Sequence, residues 1–345
     1  MKSAILINQN TPLVVKELSI PELKVGQVLV KIHYSGICGK QIEEITGKRG
    51  LDPYLPHLLG HEASGIVEMI GPGVKKVSAG DHVVLHWMKG IGIDSETPSF
   101  KSDKGIVNAG QITTFSEKTI VSENRLTKIP TDIPLDIAAL TGCAVTTGLG
   151  VVFNNANLKP GNSIVVFGIG GVGLNVIQGA LLVNAHPIIG VDVVNSKLVR
   201  AREFGATHTF NSSNVDIYQT LLELSNGIGF DAAVDVTGNK AIRETAFNVT
   251  SDTGITIFTG VPDINENITI DSFPLHFGRK IIGSHGGNTN PDVDIPKYLK
   301  LYQLGKLDLQ KQISHYFNLK EINQAIDIVM SGEAGRCLIS MEDPI

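Results

Sequence analysis

Three residues of this chain, Cys38, His61 and Cys143, have the chemistry of metal ligands. Each stands in a glycine-containing word: Gly36-Ile37-Cys38-Gly39, Gly60-His61-Glu62 and Thr141-Gly142-Cys143-Ala144. Two soft thiolates and one imidazole would fill three corners of a zinc tetrahedron, leaving the fourth to water or to a substrate oxygen that the metal can polarise. Glycine beside each ligand lets the backbone turn tightly around an ion. A single Cys or His is more often a small core hydrophobe or a satisfied imidazole, so the reading depends on what surrounds the three.

A second constellation lies further along. Ser163-Ile164-Val165-Val166-Phe167-Gly168-Ile169-Gly170-Gly171-Val172-Gly173 sets GxGxxG directly after an apolar strand and before a helical run over 174–183. In that context Gly168 permits the tight turn, Gly170 lets a pyrophosphate approach the backbone, and Gly173 allows close helix packing. Gly171 and Val172 open the helix whose N-terminus would stabilise the phosphate charge. Asp192 follows nineteen residues after Gly173, at the end of the run Ile188-Ile189-Gly190-Val191-Asp192. A carboxylate there can accept from both ribose hydroxyls and repels a 2′-phosphate, which favours NAD over NADP. Lys197, one helical turn on, could help hold the ribose, although an exposed helix lysine is the commoner explanation.

The elements that must position these groups fall into two patterns. Residues 1–150 carry short strands (28–32, 63–68, 81–85) broken by Gly and Pro, which predicts a partly open β-barrel. The polar, weakly periodic stretch 88–110 is expected to be a long loop. After Pro160-Gly161, strand signals at 163–167, 188–192, 232–235, 255–259 and 280–283 alternate with amphipathic runs, the signature of parallel βαβ units. Near residues 288–291 the alternation stops, and 296–305 and 319–330 read as helices returning to the first domain. The expected fold is therefore α/β, with a barrel domain of residues 1–150 and 286–345 and an inserted doubly wound parallel-sheet domain of residues 151–285.

Length and composition agree with a two-domain enzyme. The chain has 345 residues, 42% hydrophobic and 18% charged, with a formal net charge of -5. These figures suit a folded protein and advertise no basic face for nucleic acid. No membrane span or signal peptide is expected, and three cysteines cannot form a disulfide framework, so a reducing cytoplasm is the simplest compartment. Cys337 reads as buried strand filler.

The words Ser35-Gly36-Ile37-Cys38, Gly60-His61-Glu62-Ala63-Ser64-Gly65-Ile66-Val67 and Gly80-Asp81-His82-Val83, with the run from Thr114 to Gly173, resemble the zinc-dependent alcohol dehydrogenases of the medium-chain dehydrogenase/reductase family over nearly the whole length. The resemblance implies a GroES-like catalytic domain and a Rossmann domain, with hydride transfer between NAD(H) and a small alcohol or carbonyl compound. It implies zinc on Cys38, His61 and Cys143, and a metal-side carboxylate at Glu62. Thr147 and Val172 would lie about the nicotinamide, and the Thr259-Gly260-Val261-Pro262 backbone would bind the carboxamide. Arg336 would lie on the pyrophosphate, and Trp87 would form an aromatic wall of the substrate pocket. A homo-oligomer, dimer or tetramer, is expected.

Departures from the family pattern sharpen the expectations. No four-cysteine lobe is present, so one catalytic zinc per chain and no structural zinc held by four cysteines is expected. Lys40 stands where relatives usually have the Ser or Thr that relays the alcohol proton, with Glu43 near the outer end of that path. Gln41 replaces the Asp that orients the ligand histidine and is expected to accept its ring N–H. Lys40, Glu43, His86 and Trp87 together suggest a polar, sugar- or polyol-like alcohol. The alternatives are a simple alcohol or aldehyde, a glutathione adduct, or, in another class, a non-catalytic dinucleotide-binding structural protein.

Overall fold

The computed structural model describes residues 1–48, 50–332 and 334–342. The chain divides into two compact units, Met1–Cys143 with Asn290–Ile345, and Ala144–Thr289. The helix Ala144–Gly150 therefore belongs with the second unit, although the sequence pattern put 144–150 in the first.

In the first unit the strand Gln27–Gly36 pairs antiparallel with Glu62–Ile70, with Lys118–Ser122 and with Arg336–Ser340. Its alternation feeds two cores. Val28, Val30 and Ile32 pack with Val67, Val83 and Leu85, whereas Leu29 packs with Ile5, Phe100 and Ile120 on the opposite face. This is the period-two placement of side chains on a strand buried on both sides.

One expectation needs correction here. Residues 88–110 are not simply a loop, because Ser99–Ser102 and Gly105–Asn108 pair as a hairpin on a five-stranded sheet. The preceding segment is held by Glu123, whose carboxylate accepts N–H bonds from Lys75 (2.6 Å), Lys76 (2.7 Å) and Ile93 (2.8 Å). The C-terminal return also includes strands as well as helices. Ile313–Asn318 and Arg336–Ser340 are parallel neighbours, and the second, with Cys337 fully buried, joins the main sheet.

The second unit is a six-stranded parallel sheet in the order His208–Asn211, Ile188–Asp192, Ile164–Phe167, Phe230–Asp235, Thr250–Phe258, Lys280–Gly283. Ile164 and Val166 face one apolar layer and Val165 and Phe167 the other, so the central strand is covered by helices on both sides. The first of these strands gave no sequence signal. Its residues His208-Thr209-Phe210-Asn211 are only half-buried, as befits an edge.

Candidate metal and dinucleotide sites

Each candidate metal ligand sits at an element boundary. Cys38 follows the strand Gln27–Gly36 and is the N-cap of the helix Gly39–Ile45; His61 precedes the strand Glu62–Ile70; Cys143 follows the helix Leu135–Leu140. Glycines make the convergence possible. Gly60 has φ +96°, and a Cβ there would fall 2.3 Å from Thr114 Oγ1. At Gly142 a Cβ would lie 2.5 Å from the Leu85 carbonyl and 2.9 Å from Glu62 Cβ, so no larger residue lets the Cys143 turn close on the strand carrying Glu62.

The ligand atoms of Cys38, His61 and Cys143 lie within 4.8 Å of one another, and His61 Nε2 is 3.3 Å from Cys143 Sγ. A tetrahedral zinc with bonds of about 2.0–2.3 Å holds its ligands about 3.5–3.8 Å apart, so the donor set fits that ion. Proton sharing points the same way. The hydrogen bond from Cys143 holds the Cys38 thiol well below its usual range, with help from His61, while Cys143 is pushed well above it by Cys38 and by burial. A dication at this site would favour the deprotonated form of both thiols. Burial alone would lower the His61 pKa, but the hydrogen bond and charge of Cys38 outweigh it and raise it.

Glu62 is fully buried, and burial raises its pKa against the opposing Arg336. One of its oxygens is bound by Arg336 Nη2; Oε2 has no hydrogen-bond partner. Arg336, expected on a pyrophosphate, thus lies buried in the metal-bearing unit with Glu62 as its partner and its Nε unsatisfied. Gln41 also departs from expectation. Its Oε1 accepts the Cys38 N–H at 2.9 Å, which turns Nε2 toward His61 Nδ1, so the amide donates to the ring instead of accepting. A metal held at Nε2 of a neutral ring would leave the proton on Nδ1, and that amide would then have to turn to accept it.

Lys40 Nζ lies 3.9 Å from Glu43 Oε2 on the helix Gly39–Ile45, with side chains 38% and 26% exposed, so both reach solvent beside the ligands. Trp87 is half-buried, and its carbonyl accepts from Arg125. His86 does not join this polar group. It is fully buried, with Nδ1 on the Met88 carbonyl (2.8 Å) and Nε2 on Thr127 Oγ1 (2.9 Å), so it is a structural histidine.

Burial pulls His86 down to about 4, against the Met88 hydrogen bond. The unfolded chain takes up this proton near 6.5 and the native state only near 4, so the stability the neutral ring contributes is lost as pH falls through that window. The loss should reach about 2 kcal/mol by pH 5. His86→Gln, which can keep both hydrogen bonds, is expected to flatten the fall. Urea midpoints at pH 7 and pH 5 check this, and an equal fall in parent and variant would contradict it.

In the second unit Gly168 takes φ +94°, and its N–H donates to the Val191 carbonyl at 2.8 Å. The next N–H, of Ile169, donates to Asp192 Oδ2 at 2.7 Å, and Val194 N–H donates to Oδ1 at 2.9 Å. Asp192 therefore braces the glycine loop as well as ending its strand, a role the spacing alone did not reveal. The helix Gly171–Leu182 begins at Gly170 with no side-chain cap, leaving first-turn N–H groups for an anion. A Cβ on Gly170 would meet nothing within 4 Å, which is the cradle a diphosphate needs.

Val172 packs on the core of this unit, and the helix Ala144–Gly150, carrying the buried Thr147, crosses close beside it. A Cβ on Gly148 would fall 2.5 Å from the Val172 carbonyl. Lys197 is half-buried on the helix Asn195–Glu203, and Val261 is 51% exposed beyond the strand Thr250–Phe258.

Comparison with known proteins shows the family. The alcohol dehydrogenase GroES-like domain family matches residues 24–131, and the zinc-binding dehydrogenase family matches residues 171–303. Alcohol dehydrogenase 1 of Pisum sativum is 33% identical, with 99% of this chain and 97% of that protein covered. Alcohol dehydrogenase class-P of Arabidopsis thaliana is 32% identical over the same shares. Benzyl alcohol dehydrogenase of Acinetobacter calcoaceticus superposes with a TM-score of 0.90 at 28% identity, with 99% of each chain covered.

Proposed function

We infer that this chain, a member of the zinc-dependent alcohol dehydrogenases of the medium-chain dehydrogenase/reductase family, works on a polar alcohol through Cys38, His61 and Cys143. The convergence of those three ligand atoms within 4.8 Å is the observation that supports zinc chemistry, and the polar Lys40 and Glu43 on the helix that Cys38 caps favour the polar substrate. One zinc per chain, an NAD preference, and a cytoplasmic homo-oligomer (dimer or tetramer) complete it.

Bound zinc would polarise the substrate oxygen and favour its negatively charged form. The chain's own residues do the rest. Cys38, His61 and Cys143 fix the metal's place; Glu62, with Oε2 unpartnered, is a carboxylate available on the metal side. Lys40 and Glu43, on the helix that Cys38 caps, offer a route to solvent for the alcohol proton or a contact for a polar substituent. The Gly168–Gly173 loop takes the diphosphate, Asp192 takes the adenosine ribose with Lys197 beside it, and Thr147, Val172 and Val261 define the nicotinamide end.

A second reading has its own support. With His86 withdrawn from the pocket, Trp87 weighs more, and one similar structure is a benzyl alcohol dehydrogenase, so an aromatic alcohol is the alternative. Initial rates with polyols, sugar alcohols and benzylic alcohols test the choice. Higher kcat/KM for polyols and sugar alcohols than for benzylic alcohols supports the first reading, and the reverse order replaces it.

Asp192→Asn removes charge at nearly constant size. It is expected to narrow the ratio of NAD to NADP efficiency by roughly tenfold, because the repulsion of a 2′-phosphate is lost. Equal efficiency with both cofactors in the parent enzyme would defeat the assignment.

A further inference from the structure

Asp235 and Arg243 form a buried ion pair that neither the metal site nor the glycine loop uses. Asp235 is 0% and Arg243 11% exposed at the side chain, with Arg243 Nε 3.1 Å from Asp235 Oδ2. We propose that this pair is the positioning device for the nicotinamide half of the dinucleotide, acting by locking together the two loops that follow the strands Phe230–Asp235 and Thr250–Phe258. The proposal rests on the NAD reading above.

Topology gives the location. Asp192 lies on one side of the central strand Ile164–Phe167, and Phe230–Asp235 and Thr250–Phe258 lie on the other. A dinucleotide with its adenosine ribose at Asp192 and its diphosphate over Gly168–Gly173 must extend its other half over the carboxyl ends of those two strands.

Both loops hang on Asp235. Its Oδ1 accepts the Thr237 N–H at 2.8 Å and the Thr237 hydroxyl at 2.7 Å, and Oδ2 accepts the Gly238 N–H at 3.1 Å. Its backbone carbonyl accepts from Thr259 N–H (2.8 Å) and Gly260 N–H (2.9 Å) in the other loop. Arg243 closes the circuit: Nη2 donates to the Gly260 carbonyl, while the guanidinium carbon sits 4.7 Å above the Phe258 ring.

No side chain separates the loops. A Cβ on Gly238 would fall 2.3 Å from the Val261 carbonyl oxygen, and one on Gly260 would fall 2.1 Å from Gly238 N. A buried ion pair is a weak source of stability, since an apolar pair of similar volume can pack as well. What an apolar pair cannot supply is direction, and here the fork of Arg243 fixes the Gly260 carbonyl relative to Asp235. The neighbouring Val261 backbone is thereby held in one place.

The test separates halves of the cofactor. ADP-ribose carries adenosine, diphosphate and a ribose but no nicotinamide, so its affinity reports Asp192 and the glycine loop, whereas NADH reports the additional end. In Arg243→Gln, NADH binding is expected to weaken roughly tenfold, the effect of misplacing one hydrogen-bonding loop, with ADP-ribose binding changed less than about twofold. Arg243→Lys, which keeps the charge but not the fork, should behave similarly and serves if the Gln variant does not fold. Equal weakening of both ligands, no weakening of either, or loss of folding in both variants would overturn the proposal. Failure of the parent enzyme to bind NADH at all would instead remove the NAD reading beneath it.

Discussion

Cys143→Ala should leave a folded protein that has lost its zinc and its dehydrogenase activity. Two ligands remain, and a thiolate is removed from a site whose zinc free energy is shared over few bonds. Affinity should fall on the order of 10²–10³-fold or more, with activity falling alongside. Folding should survive because the side chain occupies a turn, between the helices Leu135–Leu140 and Ala144–Gly150, and Ala fits that position. Metal content per chain after dialysis, with activity measured in parallel, checks the result. Full zinc occupancy in the variant would show that another donor completes the site and would sink the ligand assignment.

The cluster of candidate metal ligands was legible in the sequence because each is flanked by glycine, and close packing of backbone around a site leaves that trace. Gly60 and Gly142 show why: a Cβ would collide with Thr114 and the Phe115 backbone at the first, and with the strand residues Leu85 and Glu62 at the second. The parallel strands were legible for a similar reason. Residues 164–167 and 188–191 are buried on both faces and read as unbroken runs without a polar side chain, whereas the half-buried edge 208–211 left no such mark. What the sequence hid were interactions of polar residues with several possible partners. His86 looked like a pocket group until Met88 and Thr127 were found to occupy both ring nitrogens. Asp235 and Arg243 are eight residues apart, and only the fold brings the Gly260 carbonyl to the same guanidinium. Spacing predicts a contact along one element well, but it says little about a loop that returns from another strand.

Gly173 and Gly170 are three residues apart in one motif, yet the structure separates their roles, and substituting each by Ala should give different losses. A Cβ on Gly173 would fall 2.0 Å from the Gly168 carbonyl oxygen, far inside contact distance. The loop cannot simply retreat, because Gly168 N–H is held by Val191 and Ile169 N–H by Asp192. Gly173→Ala is therefore expected to lower stability by roughly 1–3 kcal/mol or more, the cost of overpacking a closed site, and to weaken NADH binding strongly by displacing the loop. Gly170 stands at φ −89° and ψ −163°, where other residues are tolerated, and its Cβ would meet nothing within 4 Å. Gly170→Ala should unfold at the parent's temperature while NADH affinity drops roughly tenfold or more, since the methyl group occupies the space reserved for the diphosphate. Thermal unfolding without cofactor and NADH fluorescence titration distinguish the two outcomes. Normal NADH affinity in Gly170→Ala would show that the diphosphate does not approach this loop, whatever Gly173→Ala does to the fold.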